Sequence, residues 1–270
     1  YSTENFFKIS MMEIELLTVL EAIILGIVEG LTEFLPISST GHLILVSNLL
    51  GIEQTDQHKA FEVSIQLGSI LGVMFLYFKK FLDTNLIKKV VVAFIPTGIL
   101  GFLLYKLIKN LFNPYVVVFM LIFGGIILIL IELYHKNKKY EINSIQDLPY
   151  HKAFLIGVFQ SFAMVPGTSR SGATIIGGLL LGLDRKTAAE FSFILAVPTM
   201  FMATSYDIYK NHLIFSVSDW ENLVIGFIFA FLSAMFAIKW LLKFISNHSF
   251  IPFGVYRIIL GILYYFMILR

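Results

Sequence analysis

The chain contains no cysteine. Disulfides, thiol chemistry and cysteine-ligated metals are therefore excluded. Charge is also scarce. Only 14% of the 270 residues are Asp, Glu, Lys or Arg, against about a quarter in a soluble domain that must face water on every side. The net charge of +2 is too small to point to nucleic acid. What fills the sequence instead is apolar: 57% hydrophobic residues, 27 of them Phe, and a mean hydropathy of +0.83. Runs such as Val90 to Leu104, Tyr115 to Leu133, Leu223 to Leu242 and Ile258 to Leu269 reach or approach the roughly 20 residues that cross a hydrocarbon core. The expected class is an all-α polytopic membrane protein. Residues 1–12 read as a polar leader or appended remnant. No cleavable signal is expected, so the first apolar segment stays in the mature chain.

The sequence repeats itself. ILGIVEGLTEFLPISSTG (Ile24 to Gly41) aligns without gaps on LIGVFQSFAMVPGTSRSG (Leu155 to Gly172). The offset pairs Gly26 with Gly157, Glu29 with Gln160, Ser38 with Ser169, Thr40 with Ser171, and Gly41 with Gly172. Further on, FEVSIQL (Phe61 to Leu67) matches AEFSFIL (Ala189 to Leu195) in the same order. A duplication follows, with a first repeat at 13–140 and a second at 141–270. Each begins with a helix broken by a Pro-, Ser- and Gly-rich turn (18–50 and 152–183). Three longer segments then follow: 61–78, 90–109 and 114–134 in the first half, and 187–207, 220–245 and 251–269 in the second. The turns Pro36 to Gly41 and Pro166 to Gly172 leave backbone groups that hydrocarbon does not tolerate. Two full spans or one re-entrant hairpin would account for each broken piece, and the hairpin fits that constraint better.

One hairpin plus three spans is an odd number of crossings, so the second repeat is expected upside down, as in many transporters. One side then carries Lys79, Lys80, Lys88, Lys89, Lys136, Lys138, Lys139, Lys152, Arg185, Lys186, Lys239 and Lys243. The other carries Lys8, Lys59, Lys106, Lys109, Lys210 and Arg270. Twelve cations against six make the first side cytoplasmic and put both termini outside.

Ionisable groups inside membrane segments mark function by default. Glu29 and Glu33 lie four residues apart on one helix face. Beyond Pro36 come Ser38, Ser39, Thr40, Gly41 and His42, and the second turn offers Ser169, Arg170, Ser171, Gly172 and Thr174. Small hydroxyl residues and glycine at a helix N-terminus present free N–H groups and a positive dipole end to an anion. Arg170 adds a planar fork suited to phosphate. Ser38, Ser39 and His42 supply a nucleophile and a base, or His42 attacks phosphorus itself. Glu29 and Glu33 either hold a divalent cation or orient His42. The set points to phosphoryl transfer. Each part also has a plainer reading: close helix packing for the small residues, an ion pair or proton relay for a lone Glu. Glu62 and Gln66 stand as supporting residues, with Glu190 and Ser192 at the matching place in the second half. Arg257 snorkels, or pairs with a lipid phosphate or a carboxylate. Glu132 is expected at the interface, and Trp220, Tyr264 and Tyr265 as interfacial anchors.

EGLTEFLPISSTGH (Glu29 to His42) and PGTSRSGAT (Pro166 to Thr174) resemble the two signature motifs of the undecaprenyl-diphosphatase, or bacitracin-resistance, family. The resemblance extends through FEVSIQLGSILGV (Phe61 to Val73), EFSFILAVP (Glu190 to Pro198) and SFIPFGVYR (Ser249 to Arg257), from about Ile14 onward. It implies hydrolysis of the lipid carrier undecaprenyl diphosphate to the monophosphate, for reuse in peptidoglycan synthesis, in the bacterial plasma membrane. It also implies a divalent cation, Mg or Ca, and a site open to the outer face. On this chain the family's acidic motif falls on Glu29 and Glu33, its Ser-Ser-Thr-Gly-His on Ser38 to His42, and its arginine motif on Ser169, Arg170, Ser171 and Thr174. Ser39 attacks with His42 as base, or His42 attacks. The expected partners are the polyprenyl diphosphate and membrane lipids, with homo-oligomerisation left open. The rival reading is a lipid-phosphate carrier or flippase built on the same inverted repeat.

Overall fold

The computed structural model describes residues 17–111, 113–135, 140–211 and 219–270. The expected leader at 1–12, and Lys8, Lys136, Lys138 and Lys139 of the charge comparison, lie outside them. Among the described residues the fold is helical, and the one strand-like feature is an isolated bridge between Ile142 and Leu183. Ten α-helices follow one another among the described residues: α1 (Val19–Glu33), α2 (Ser39–Leu49), α3 (Asp56–Leu76), α4 (Thr84–Asn110), α5 (Pro114–His135), α6 (Tyr150–Ser161), α7 (Arg170–Leu180), α8 (Arg185–Asn211), α9 (Asp219–Ile245) and α10 (Ile251–Tyr264).

Six of them, α3, α4, α5, α8, α9 and α10 with the π turn that extends it, are long and apolar enough to cross a membrane. The protein is a multi-pass membrane protein. Large apolar side chains on these helices face outward, as Phe102 does at 86% exposure. Polar side chains such as Glu29, Ser171 and Arg257 are fully buried. That is the reverse of a water-soluble surface, and lipid is the solvent that makes it stable. The long helices begin earlier than their apolar runs. α3 starts at Asp56 rather than near residue 61 because Thr55 caps it, accepting from the His58 amide at 3.1 Å, and the polar first turn belongs to the helix.

The other four helices have 15, 11, 12 and 11 residues. At about 1.5 Å per residue each falls short of the ~30 Å hydrocarbon core. α1 opens on a reciprocal cap, the Glu21 amide donating to Thr18 Oγ1 and the Thr18 amide to Glu21 Oε2. It stops at Phe34, because Pro36 has no amide and disfavours helix at Leu35. α6 stops the same way, at a 3₁₀ turn followed by Pro166.

The short pairs pack on long helices with little between them. α1 lies against α9, where a Cβ on Gly26 would come 2.4 Å from the Gly226 carbonyl oxygen. α6 lies against α4, where a Cβ on Gly157 would come 1.8 Å from the Ala93 oxygen. Only glycine permits these backbones to approach so closely. At one end of the bundle Lys80 binds Glu190 at 2.5 Å, Lys89 donates to the Gln146 carbonyl at 2.6 Å, and Tyr150 donates to Asn85 at 2.6 Å. These contacts gather the end of α3, the starts of α4, α6 and α8, and the segment before α6. At the other end the Asn222 amide donates to the Leu17 carbonyl, joining the chain before α1 to the start of α9.

Three sequence expectations change here. Glu132 is buried rather than interfacial, and holds Arg185 through Nε at 2.8 Å and Nη2 at 2.7 Å. Tyr264 is fully buried in an apolar cluster with Leu121 and Leu260, whereas Trp220 and Tyr265 are exposed. Arg257 meets neither lipid nor carboxylate; its donors go to backbone carbonyls, as described next.

Candidate active site

The two Pro- and Ser-rich turns, far apart in sequence, face each other across a cavity of about 170 Å³. Glu33, Ser38, Ser39 and Thr40 line it from one side, and Pro166, Gly167, Ser169 and Arg170 from the other, with Gln66 of α3 and Met200 of α8 between them.

Each turn delivers a helix N-terminus to this cavity through the same backbone device. Ser38, the N-cap of α2, has φ +72°, and Ser169, the N-cap of α7, has φ +71°. They are the only described non-glycine residues with positive φ. Such strain persists where the surroundings over-determine it and clusters at functional sites. The first amides of a helix lack intrahelical acceptors. In α7 Ser169 Oγ takes the Gly172 amide at 3.1 Å; in α2 the Ser38 side chain caps nothing. The amides of Ser39, Thr40 and Gly41 are therefore left without a side-chain cap, the condition in which a helix N-terminus can accept an anion.

Glu33 joins the two turns. Its Oε1 accepts from Arg170 Nη2 at 2.9 Å, and its Oε2 from Ser39 Oγ at 2.5 Å. Arg170 is held from behind by the Ser192 carbonyl at 2.9 Å, by Met200 Sδ at 3.3 Å and by the Phe34 ring at 5.4 Å. Its buried Nε has no hydrogen-bond partner among the described residues, so the guanidinium keeps a donor in reserve. His42 sits in the next turn of α2. Its Nδ1 is 2.7 Å from the Ser38 carbonyl and its Nε2 is 2.7 Å from Tyr256 Oη. Nδ1 therefore carries the proton, and Tyr256 donates to Nε2. The histidine holds neither Ser39 nor either glutamate in this arrangement.

Glu29, one turn before Glu33, is buried with both carboxyl oxygens unpartnered among the described residues. Glu33 does have partners, so of the two acids Glu29 has free capacity for a cation. No group of three or more His, Asp or Glu that could hold a metal occurs among the described residues. Two carboxylates one turn apart still fit a hard divalent cation when phosphate oxygens complete its shell, as is usual for Mg²⁺.

The remaining predicted residues spread around this centre. Gly41 packs beside Leu121, and Gly172 lies beside Arg257 Nη1, each where a Cβ would crowd its neighbour. Ser171 is buried with its hydroxyl unpartnered among the described residues. Thr174 points inward, donating to Ser192 Oγ at 2.6 Å, and does not line the cavity. Gln66 lines it. Glu62 belongs to a separate cluster, accepting from Ser47 at 3.1 Å and lying 2.9 Å from His58.

The contribution that sequence reasoning missed is that of Arg257. Buried at 1% exposure, it donates from Nη1 to the carbonyls of Pro36 (3.3 Å) and Thr168 (2.9 Å). Nη2 donates to Gly167 (3.0 Å) and Met120 (2.8 Å), and Nε to Leu121 (3.3 Å). One side chain thus ties both turns to each other and to α5. Gly124 makes room for it, since a Cβ there would lie 2.2 Å from Nη2. Tyr256 was missed in the same way, and Ser192, expected only as a counterpart of the supporting residues, turns out to hold Arg170 and Thr174. Nothing in the local sequence of Arg257 or Tyr256 announces a partner that only folding supplies.

A polytopic helical membrane protein whose buried polar centre joins an arginine, a carboxylate, a serine hydroxyl and an open helix N-terminus belongs to the class of membrane-embedded phosphate-handling proteins. Residues 22–263 match the family model described as bacitracin resistance protein BacA. Three curated relatives carry the name undecaprenyl-diphosphatase. That of Sulfurihydrogenibium sp. is 83% identical over 249 residues, 92% of this chain and 99% of the relative. That of Persephonella marina is 64% identical over 252 residues (93% and 99%), and that of Wolinella succinogenes 60% identical over 249 (92% and 97%). The chain belongs to the bacitracin resistance protein BacA family.

Proposed function

We propose that this protein is a membrane phosphatase that hydrolyses undecaprenyl diphosphate to undecaprenyl phosphate and inorganic phosphate in a bacterial plasma membrane. This recycles the lipid carrier for cell-wall synthesis and confers resistance to bacitracin. The observation that carries the reading is the chain Ser39–Glu33–Arg170 across the cavity. A carrier needs a clamp for phosphate, but it has no use for a serine hydroxyl whose proton is directed at a carboxylate.

In the proposed mechanism the terminal phosphoryl group enters between the two turns. The free amides of α2 and the Arg170 guanidinium, through Nε and the Nη2 it now shares with Glu33, take its oxygens. Ser39 Oγ attacks the terminal phosphorus while its proton passes to Glu33. The bond to the bridging oxygen breaks, and undecaprenyl phosphate leaves with that oxygen. Water then displaces Ser39 from phosphorus, releases inorganic phosphate and restores the hydroxyl. His42, held by Tyr256 and the Ser38 carbonyl, keeps the first turn of α2 in place. Glu29 and Glu33, with diphosphate oxygens, would hold a divalent cation, Mg or Ca, which when bound neutralises phosphate charge.

The architecture proposed with this function is an inverted repeat over 13–140 and 141–270, each a re-entrant hairpin (α1–α2, α6–α7) plus three spans. Three observations support it. Aligned Ser38 and Ser169 share one strained geometry. Aligned Gly26 and Gly157 each seat a hairpin on the second span of the other repeat. The start of α1 lies at the α9 start, while α6 begins and α7 ends at the opposite, lysine-rich end. That end is then cytoplasmic, both termini are outside, and the site opens outward.

The test is phosphate release from undecaprenyl diphosphate by the purified protein in detergent, with Mg²⁺ or Ca²⁺ and then with EDTA. Release that depends on the cation and disappears in Ser39→Ala is expected. No release from folded wild type, with lipid flipping in liposomes, would establish the carrier instead.

A further inference from the structure

A second cavity, apart from the one between the turns, lies near the ends of the spans. It measures about 440 Å³ and lies at the lysine-rich end, among the end of α3, the first turns of α8 and the last turns of α9. Its lining includes Lys186, Lys239 and Lys243 together with Leu76, Ile238 and Leu242. Lys239 and Lys243 are four residues apart, so they stack on one face of α9. All three lysines are exposed, and among the described residues none forms an ion pair. The one carboxylate that lines the cavity, Glu190, is taken by Lys80 at 2.5 Å. Three cations without an ion-pair partner among the described residues therefore line one cavity together with apolar side chains.

Like charges gathered this way repel one another, and water screens them only in part at a membrane boundary. An anion relieves that repulsion. The position selects which anion. The cavity opens where spans end, and the surface around it is apolar and outward-facing: Phe78 is 64% exposed, Phe236 64% and Trp240 42%. A ligand that puts a phosphate among the lysines and an acyl chain along that surface matches both halves. Basic pockets between helices on the cytoplasmic side bind anionic head groups for this reason.

We infer that the Lys186–Lys239–Lys243 cavity is a binding site for an anionic phospholipid of the surrounding leaflet, separate from the phosphoryl-transfer site. Its ligand is a lipid phosphodiester, held by ammonium groups as point charges rather than by a bidentate fork.

The chain has two tryptophans, and they report on opposite ends of α9. In a Trp220→Phe background, Trp240 is the sole indole, one residue from Lys239. The protein in this background, reconstituted in phosphatidylcholine vesicles, is titrated with brominated phosphatidylglycerol or brominated phosphatidylcholine, and Trp240 quenching is read. Quenching by phosphatidylglycerol at least about threefold stronger than by phosphatidylcholine is expected. The preference should vanish in Lys186→Gln/Lys239→Gln/Lys243→Gln. It should survive in the matching triple Arg variant, which keeps charge, and in Lys59→Gln at the other end. Equal quenching by the two lipids, or a preference unchanged in the Gln triple, would overturn the site. A preference abolished by millimolar inorganic phosphate would assign the cavity to a soluble phosphate and overturn the lipid.

Discussion

Ser39, Glu33 and Arg170 make sense together only as one unit. Glu33 accepts from both partners at once, so removing any of the three leaves a buried polar group without its mate as well as deleting a chemical role. Arg170→Ala should lower kcat by roughly 10²–10³, the loss typical of a preorganised donor to a developing oxyanion. Ser39→Ala should cost more, about 10⁴ or above, because a nucleophile is lost rather than a stabiliser. Initial-rate assays on the purified variants decide both. Activity of Ser39→Ala within tenfold of wild type would return the nucleophile to His42. Arg257 acts at the same scale through structure alone. Arg257→Ala would strand carbonyls of both turns and of α5, at a cost of roughly 3 kcal/mol or more. Thermal unfolding in detergent should show a marked fall in Tm, with Arg257→Lys intermediate because a single ammonium cannot span five acceptors.

Among the elements, the short helices depend on glycine contacts for their seats. A methyl on Gly157 would collide with the Ala93 carbonyl, and neither backbone can move without lifting α6 off α4. Gly157→Ala should therefore destabilise by about 1–3 kcal/mol, as overpacking does. Activity should fall with it, since α6 leads directly into the Arg170 turn. Gly101→Ala in α4 serves as the control: its Cβ would meet only the Met164 methyl at 3.5 Å, and stability should be unchanged or slightly raised. Equal Tm losses in the two variants would remove the packing argument. The two short-helix pairs are also where reading from sequence worked best at this scale. Pro36 and Pro166 announced the breaks, and the Ser-rich runs after them announced new N-termini.

For the whole molecule the testable property is sidedness. The absence of cysteine makes this simple, because any introduced thiol is unique. Glu53→Cys, in the segment between α2 and α3, should react with an impermeant maleimide from outside intact cells. Asn247→Cys, between α9 and α10, should react only from the cytoplasmic side, in inverted vesicles. Labelling of both from one side would contradict the inverted arrangement, whatever the outcome of the phosphatase assay.

Composition alone determined that this chain lives in a membrane, because 14% charge cannot clothe a water-facing surface. Prolines and hydroxyl residues marked the two turns, and the duplicated motif paired them. Those signals are local: a missing amide, a capping hydroxyl or an apolar run acts within a few residues of itself. The tertiary structure alone decided which groups meet. It placed Ser39 on Glu33 rather than on His42, gave His42 to Tyr256, buried Glu132 against Arg185, and set Arg257 between turns more than 80 residues away in sequence. The Ser39–Glu33 bond depends on how the turn sets α2 against α1, and the others on helices distant in sequence that pack together; a buried donor takes whichever acceptor that packing brings within reach.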